Sequence, residues 1–365
     1  MDAVAALYSE NHLDLSHAII ASLSRAVFGK GNPAPAGLVR RALARVTLRL
    51  LKWTTTRHEV KDDKDAPTGY RNKLLERSRH PYAQSLLASS RKETEVLVEG
   101  GDPMNGPYMM ISPEILKACT IWDKLFFNSV LARDVQLRFV WETNATYDAA
   151  SRRLDRGENV RLKALAAGTG LSVILAYDRL LRDGYDPSLI TAIITDREAA
   201  NTAKTSHLLA KLAASRGWKL RADSEHGIAA RTEDVFADET ASGMTGCTKY
   251  NVVTAVGILE YLQGFTCDTT ERRHSLDEPE ESATAVHLAE RLGGMTTDDA
   301  SLIVNTYRPH SSTRILELFG KRFDYRNQVD LVALLATANF RPARVVGSGV
   351  VYDLKVYEKV PDAEE

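Results

Sequence analysis

The chain has 365 residues, 44% of them hydrophobic and 26% charged, which is ordinary globular material sufficient for two structural units. Its net charge of −1 leaves no electrostatic footprint for a polyanion, so neither nucleic acid nor an anionic membrane is an expected partner. Three cysteines (Cys119, Cys247, Cys267) lack metal-ligand spacing, which points to free thiols in a reducing compartment and no metal site.

In chain order, the opening MDAVAALYSENHLDL has no basic stretch before a long apolar run, and no segment reaches membrane-span length. A soluble, cytoplasmic protein is expected. Residues 3–28 and 35–53 carry apolar residues three and four apart, with Arg and Lys opposite. KDDKDA (61–66) is a charged linker, and 70–90 resumes a helical pattern. Turn signals crowd 100–107, after which 113–154 is helical again, with Trp122, Phe126, Phe127, Phe139 and Trp141 supplying bulk. Residues 1–154 therefore form an expected helical cap leading into a core domain over 155–360.

The core domain opens with a complete strand–turn–helix–strand unit at 160–198. The apolar run 162–167 is a buried strand, Gly168-Thr169-Gly170 a tight turn, and 171–182 a helix stopped by Asp183-Gly184 and Pro187. A second strand, 190–195, ends at Asp196. In an open parallel sheet, ligands bind outside the carboxyl ends of the strands, beside a glycine turn and a helix N-terminus. A carboxylate closing the second strand is placed there to accept both ribose hydroxyls of an adenosine. The turn lacks the third glycine of G-x-G-x-x-G, which disfavours a dinucleotide.

These residues resemble motifs I and II of the class I S-adenosylmethionine-dependent methyltransferase fold. The resemblance implies that Ala166, Gly168 and Gly170 line the methionine side of that cofactor and that Asp196 binds its ribose. One departure is notable. The family usually has an acidic residue four positions before the first glycine of the turn, and here that position is Ala164, so contact to the cofactor's amino group is arranged differently, or that group is not held as a cation.

Beyond Asp196 the alternation continues. The pattern predicts a helix over 199–216, a third strand at 218–222 or 228–231, a fourth at 250–255, and a polar insertion at 266–281. A helix over 283–292, a fifth strand over 300–306, a helix over 329–338 and a hairpin from 345–348 and 351–357 complete it. The expected fold is α/β, a doubly wound, mostly parallel seven-stranded sheet with an N-terminal helical cap. A closing antiparallel pair after five βα units is also what the methyltransferase fold has.

Further candidates follow from the same layout. Arg197 is placed to stack on an adenine. Asp234 resembles the family's acidic loop that reads the adenine amino group, with Val235 or Phe236 packing on the ring. Glu260 and Tyr261 lie just past the fourth strand, while Asn305, Tyr307, Arg308 and His310 follow the fifth. His310 is a candidate general base. A sulfonium cation favours an aromatic face, and Tyr177, Tyr147, Trp141 and Tyr108 are candidates to supply one. Asn144 is a candidate for the cofactor's amino or carboxylate group.

The first functional expectation is methyl transfer from S-adenosylmethionine to a small-molecule substrate. The second is cyclisation of the same cofactor to azetidine-2-carboxylate with release of methylthioadenosine. A carboxylate deficit around the amine, as at Ala164, would help by favouring its neutral form. The chain's layout, ending in GSGVVYDLKVYEK, is also similar to the azetidine-2-carboxylate synthases. A nucleotide-binding protein without catalysis, or a dinucleotide oxidoreductase, is the third. A homodimer is compatible with the sequence.

Overall fold

The computed structural model describes residues 17–29, 42, 46, 130–218, 220, 226–236, 249–262, 284–310 and 325–361. Contacts divide the chain into two compact units. One comprises Met1–Val140, Pro309–Arg322 and Gly349–Val351; the other comprises Trp141–Arg308, Phe323–Ser348 and Tyr352–Glu365.

In the first unit, α1 is His17–Phe28, the latter part of the first amphipathic stretch. A 25-residue helix, α2 (Val130–Leu154), begins in that unit and enters the second at Trp141. The charged linker, the turn cluster at 100–107 and the polar insertion at 266–281 lie outside the described residues, as does Tyr108. Among the described residues no helix is long and apolar enough to cross a membrane.

The second unit is built on a seven-stranded sheet: β1 (Val160–Ala164), β2 (Ile190–Asp196), β3 (Gly227–Thr232), β4 (Tyr250–Ala255), β5 (Thr296–Tyr307), β6 (Phe340–Ser348) and β7 (Tyr352–Lys359). Their order across the sheet is β3-β2-β1-β4-β5-β7-β6. Ladders β1–β2, β1–β4, β2–β3 and β4–β5 are parallel, and β7 runs antiparallel to both neighbours. All seven residues of β2 are buried, as expected of a strand covered on both faces. Of the two third-strand alternatives, the later one forms the ladder: Gly227–Thr232 pairs with Thr191 through Asp196, while Leu220 makes only an isolated bridge to Ile228.

The connecting helices are α3 (Leu171–Arg182), α4 (Ala199–Arg216), α5 (Ala285–Met295) and α6 (Gln328–Ala336). Local chemistry sets their ends. Gly217 takes the left-handed conformation that closes α4, at φ 68°. Thr284 caps α5 by accepting from the His287 amide at 3.1 Å, and Asn327 with Asp330 forms a capping box on α6. The chain steps outward from β1 to β3, then returns to the other side of β1 for β4. Right-handed crossovers therefore put α3 and α4 on one face and the later helices on the other.

One face of the core joins Leu165, Ile193, Val253, Leu302 and Val304 of the sheet region to Leu288 and Leu292 of α5 and Leu331 and Leu334 of α6. Burying each such aliphatic side chain contributes about 1.5–3 kcal/mol.

Candidate functional site

The reversal of strand order falls between β1 and β4, and the carboxyl ends of these strands open the crevice where a doubly wound sheet takes its ligand. The β1–α3 turn there is held by backbone bonds. The Leu165 amide donates to Thr254 O (2.9 Å), the Ala167 amide to Thr195 O (3.0 Å), and the Gly170 amide to Ala167 O (2.8 Å). Thr195 Oγ1 donates to Ala164 O at 2.9 Å. Ala166, Gly168 and Gly170 all adopt positive φ, at 47°, 57° and 59°. At Gly170 no side chain fits, since a Cβ would lie 2.5 Å from Ile194 Cγ2. Ala166 is exposed and takes its left-handed backbone without being glycine, at a cost of about 1–2 kcal/mol.

Asp196 ends β2 and is 7% exposed. Its Oδ2 accepts the Gly168 amide at 2.8 Å, and its Oδ1 accepts the Glu198 amide (2.9 Å) and Asn201 Nδ2 (3.3 Å). A carboxylate offers roughly four acceptor positions, so one is left for a ligand hydroxyl, not the two expected for both ribose hydroxyls. Beside it, Asn201 Oδ1 is buried and meets no donor among the described residues. Such an orphaned acceptor fits a ligand rich in hydroxyl groups.

The far side of the crevice is formed by β4 and β5. Arg326, buried, donates from both guanidinium ends to the carbonyls of Leu259 and Leu262, fixing the one-turn helix Leu259–Tyr261. That turn carries Glu260, 3% exposed, whose Oε2 accepts weakly from Asn305 Nδ2 at 3.5 Å. Asn305 Oδ1 in turn accepts the Gly257 amide at 2.7 Å. At the end of β5, Tyr307 stacks on Tyr325 (centroids 5.4 Å apart, 23° between planes) and packs on Tyr352 at 4.9 Å. Burial holds the Tyr307 hydroxyl neutral, far above the ordinary phenol range.

Five parallel strands in the order 3-2-1-4-5, closed by an antiparallel seventh strand between the fifth and sixth, carry a left-handed turn after β1 and an acid at the end of β2. This is the class I methyltransferase fold. No protein-family model matches the sequence, and no curated protein matches it. Similar solved structures include the CurJ carbon methyltransferase, at 14% identity and TM-score 0.48 over 98% of this chain and 96% of that one. A possible exported protein from Bordetella parapertussis is similar at 14% identity and TM-score 0.48, over 87% and 96% of the two chains. The magnesium protoporphyrin IX methyltransferase of Synechocystis PCC 6803 with bound SAH is similar at 14% identity and TM-score 0.39, over 63% and 86%. The fold assignment rests on the strand order and the direction of β7.

On this methyltransferase fold, Ala166, Gly168, Gly170 and Asp196 come together as one turn. Glu260 is brought to the same edge of the sheet, at the end of β4. Other candidates go elsewhere. Arg197 is an exposed cation beside Glu198 (3.3 Å) with its side chain 76% accessible. Asp234 is exposed, and its Oδ1 caps the Phe236 amide at 2.9 Å. Val235 is committed to the core beside Ile193 and Leu259, and Phe236 lies against the His287 ring at 5.6 Å. Tyr261 points out, 52% exposed. His310 belongs to the first unit, where burial lowers its pKa below 6.5, against the opposing charge of Asp134.

The aromatic candidates near α2 and α3 each make a defined contact within the sheet domain. Tyr177 is seven residues past Gly170, about 10 Å down α3, and meets Trp218 edge-on at 5.4 Å. Its burial raises the phenol pKa to about 12. Tyr147 donates to Asp183 Oδ2 at 2.7 Å, at the end of α3 opposite the glycine turn. Trp141 packs on the backbone of Gly347, where an added Cβ would lie 2.1 Å from its ring. Asn144 is half-buried on α2.

The contacts of Tyr325 and Tyr352 with Tyr307 were not legible in the sequence, because ring packing between β5, β7 and the segment before α6 is a tertiary event. Glu142 ties two helices together. It is buried on α2 and accepts from Ser172 Oγ at 2.8 Å, in the first turn of α3.

Proposed function

We propose that the protein is an S-adenosylmethionine-dependent enzyme that transfers a methyl group to a small-molecule acceptor. The observation that carries this reading is the buried Asp196 carboxylate, which grips the Gly168 amide and so ties the end of β2 to the turn after β1. When bound, the cofactor supplies a methyl group on a sulfonium, already activated for displacement. The protein's own work is then mainly positioning and exclusion of water. Asp196, with one acceptor position remaining, and the orphaned Asn201 carbonyl would hold hydroxyls of the nucleoside. The amides at the start of α3 would face the anionic end of the ligand. Tyr307 and its stacked neighbours would give the cationic sulfur an aromatic face that does not compete as a nucleophile.

A second reading is favoured by one observation, the buried methyl group of Ala164 at the end of β1. Without a carboxylate there, the cofactor's amine is easier to keep neutral, as closure to azetidine-2-carboxylate requires. Mass spectrometry of the pure protein incubated with S-adenosylmethionine alone separates the two. Methyl transfer predicts no turnover until an acceptor is added, then adenosylhomocysteine. Methylthioadenosine appearing without any acceptor would overturn it in favour of cyclisation.

A further inference from the structure

The acid that ends β2 is largely supplied with donors by the protein itself. Asp196 Oδ1 takes the Glu198 amide and Asn201 Nδ2, and Oδ2 takes the Gly168 amide. Of the roughly four acceptor positions on a carboxylate, the one that remains is on Oδ2. A ribose brings two adjacent hydroxyls, so a second acceptor is needed. Asn201 has one to offer. It is 8% exposed, in the first turn of α4, five residues after Asp196. An amide donates to a carboxylate only through its nitrogen, so the bond to Asp196 settles which end is which. The carbonyl end is the one that is buried and meets no donor among the described residues. The surrounding turn holds it firmly. The Asn201 amide donates to Glu198 O at 3.0 Å, and its backbone carbonyl accepts Thr205 Oγ1 at 2.9 Å. Its neighbour Thr202 meets Thr232, at the end of β3, hydroxyl to hydroxyl at 2.7 Å.

Resting on the cofactor reading above, we propose that the two residues divide the ribose, Asp196 Oδ2 accepting one hydroxyl and Asn201 Oδ1 the other. Asn201 is thereby the residue that makes the site selective for ribonucleosides. A deoxynucleoside leaves one of two buried acceptors without its donor, and a site built to bond a hydroxyl rejects the analogue that lacks it. A ribose phosphorylated at either hydroxyl is refused for a related reason. The esterified oxygen has no proton to give, and its charge would lie beside a carboxylate.

The test is calorimetry with methylthioadenosine and its 2′-deoxy and 3′-deoxy forms on the wild-type protein, Asn201→Ala and Asp196→Asn. The wild type should bind each deoxy form about threefold to tenfold more weakly than methylthioadenosine. Asn201→Ala should weaken methylthioadenosine by a similar factor and leave one deoxy form bound as in the wild type. Asp196→Asn should spare the other deoxy form. If Asn201 serves only to hold Asp196 in place, both variants will spare the same form, which would overturn the proposal. Equal weakening of all three ligands by Asn201→Ala, or no weakening, would overturn it too. Asn201→Ser keeps a donor toward Asp196 but no carbonyl, and carries the test if Asn201→Ala does not fold. Failure of all three ligands to bind the wild type would overturn the cofactor reading itself, and the division of the ribose with it.

Discussion

The Asp196 carboxylate accepts the Gly168 amide across 2.8 Å of buried space, joining residues 28 positions apart at the mouth of the sheet. The acid is therefore structural before it is a ligand group, because it also gathers the Glu198 amide and the Asn201 side chain. Asp196→Ala strands these donors and should cost about 2 kcal/mol or more of stability. Urea denaturation reads this directly, and the same variant should lose nucleoside affinity. Asp196→Asn, which keeps an acceptor, should retain more of the stability than of the affinity.

Gly170→Ala should be among the most damaging single-carbon changes in the sheet domain. The backbone is left-handed at φ 59°, and the new methyl group would overlap Ile194 Cγ2. Strain and overpacking sum to about 2–5 kcal/mol. A melting temperature unchanged from wild type would show that the turn relaxes freely.

Ala166→Gly should act in the opposite sense. The residue is exposed and strained at φ 47°, and glycine removes the strain with no packing to lose. A gain of about 1 kcal/mol in the free energy of unfolding is expected.

His310 gives a prediction in pH. Burial lowers its folded pKa below the ordinary 6.5. The unfolded chain then binds a proton more readily than the folded one as pH falls through 6.5, so the His310 contribution is complete above that value and declines below it. His310→Gln should flatten the fall in stability below about pH 6.5. NMR titration should find the His310 imidazole less than half protonated where a free histidine is half protonated.

What the sequence made legible follows from how local each signal is. Helices α3 and α4 match the expected 171–182 and 199–216, because Asp183-Gly184 and Gly217 stop them by local chemistry. The glycine turn and Asp196 were legible as a contiguous strand–turn–helix–strand. The third strand was ambiguous because both segments are short and apolar, and only pairing with β2 distinguishes them. Tyr177 looked like a ligand group because its helix is near the turn, but which face of α3 meets Trp218 is decided by packing. The Glu142–Ser172 bond carried no local signal at all, since it depends on how α2 lies against α3.

The most direct measurement is a calorimetric titration of S-adenosylmethionine into the wild-type protein and Asp196→Ala. The account predicts saturable one-to-one binding to the wild type and a loss of about tenfold or more in the variant. Binding that the substitution leaves untouched, or no saturable binding to the wild type at millimolar ligand, would contradict it.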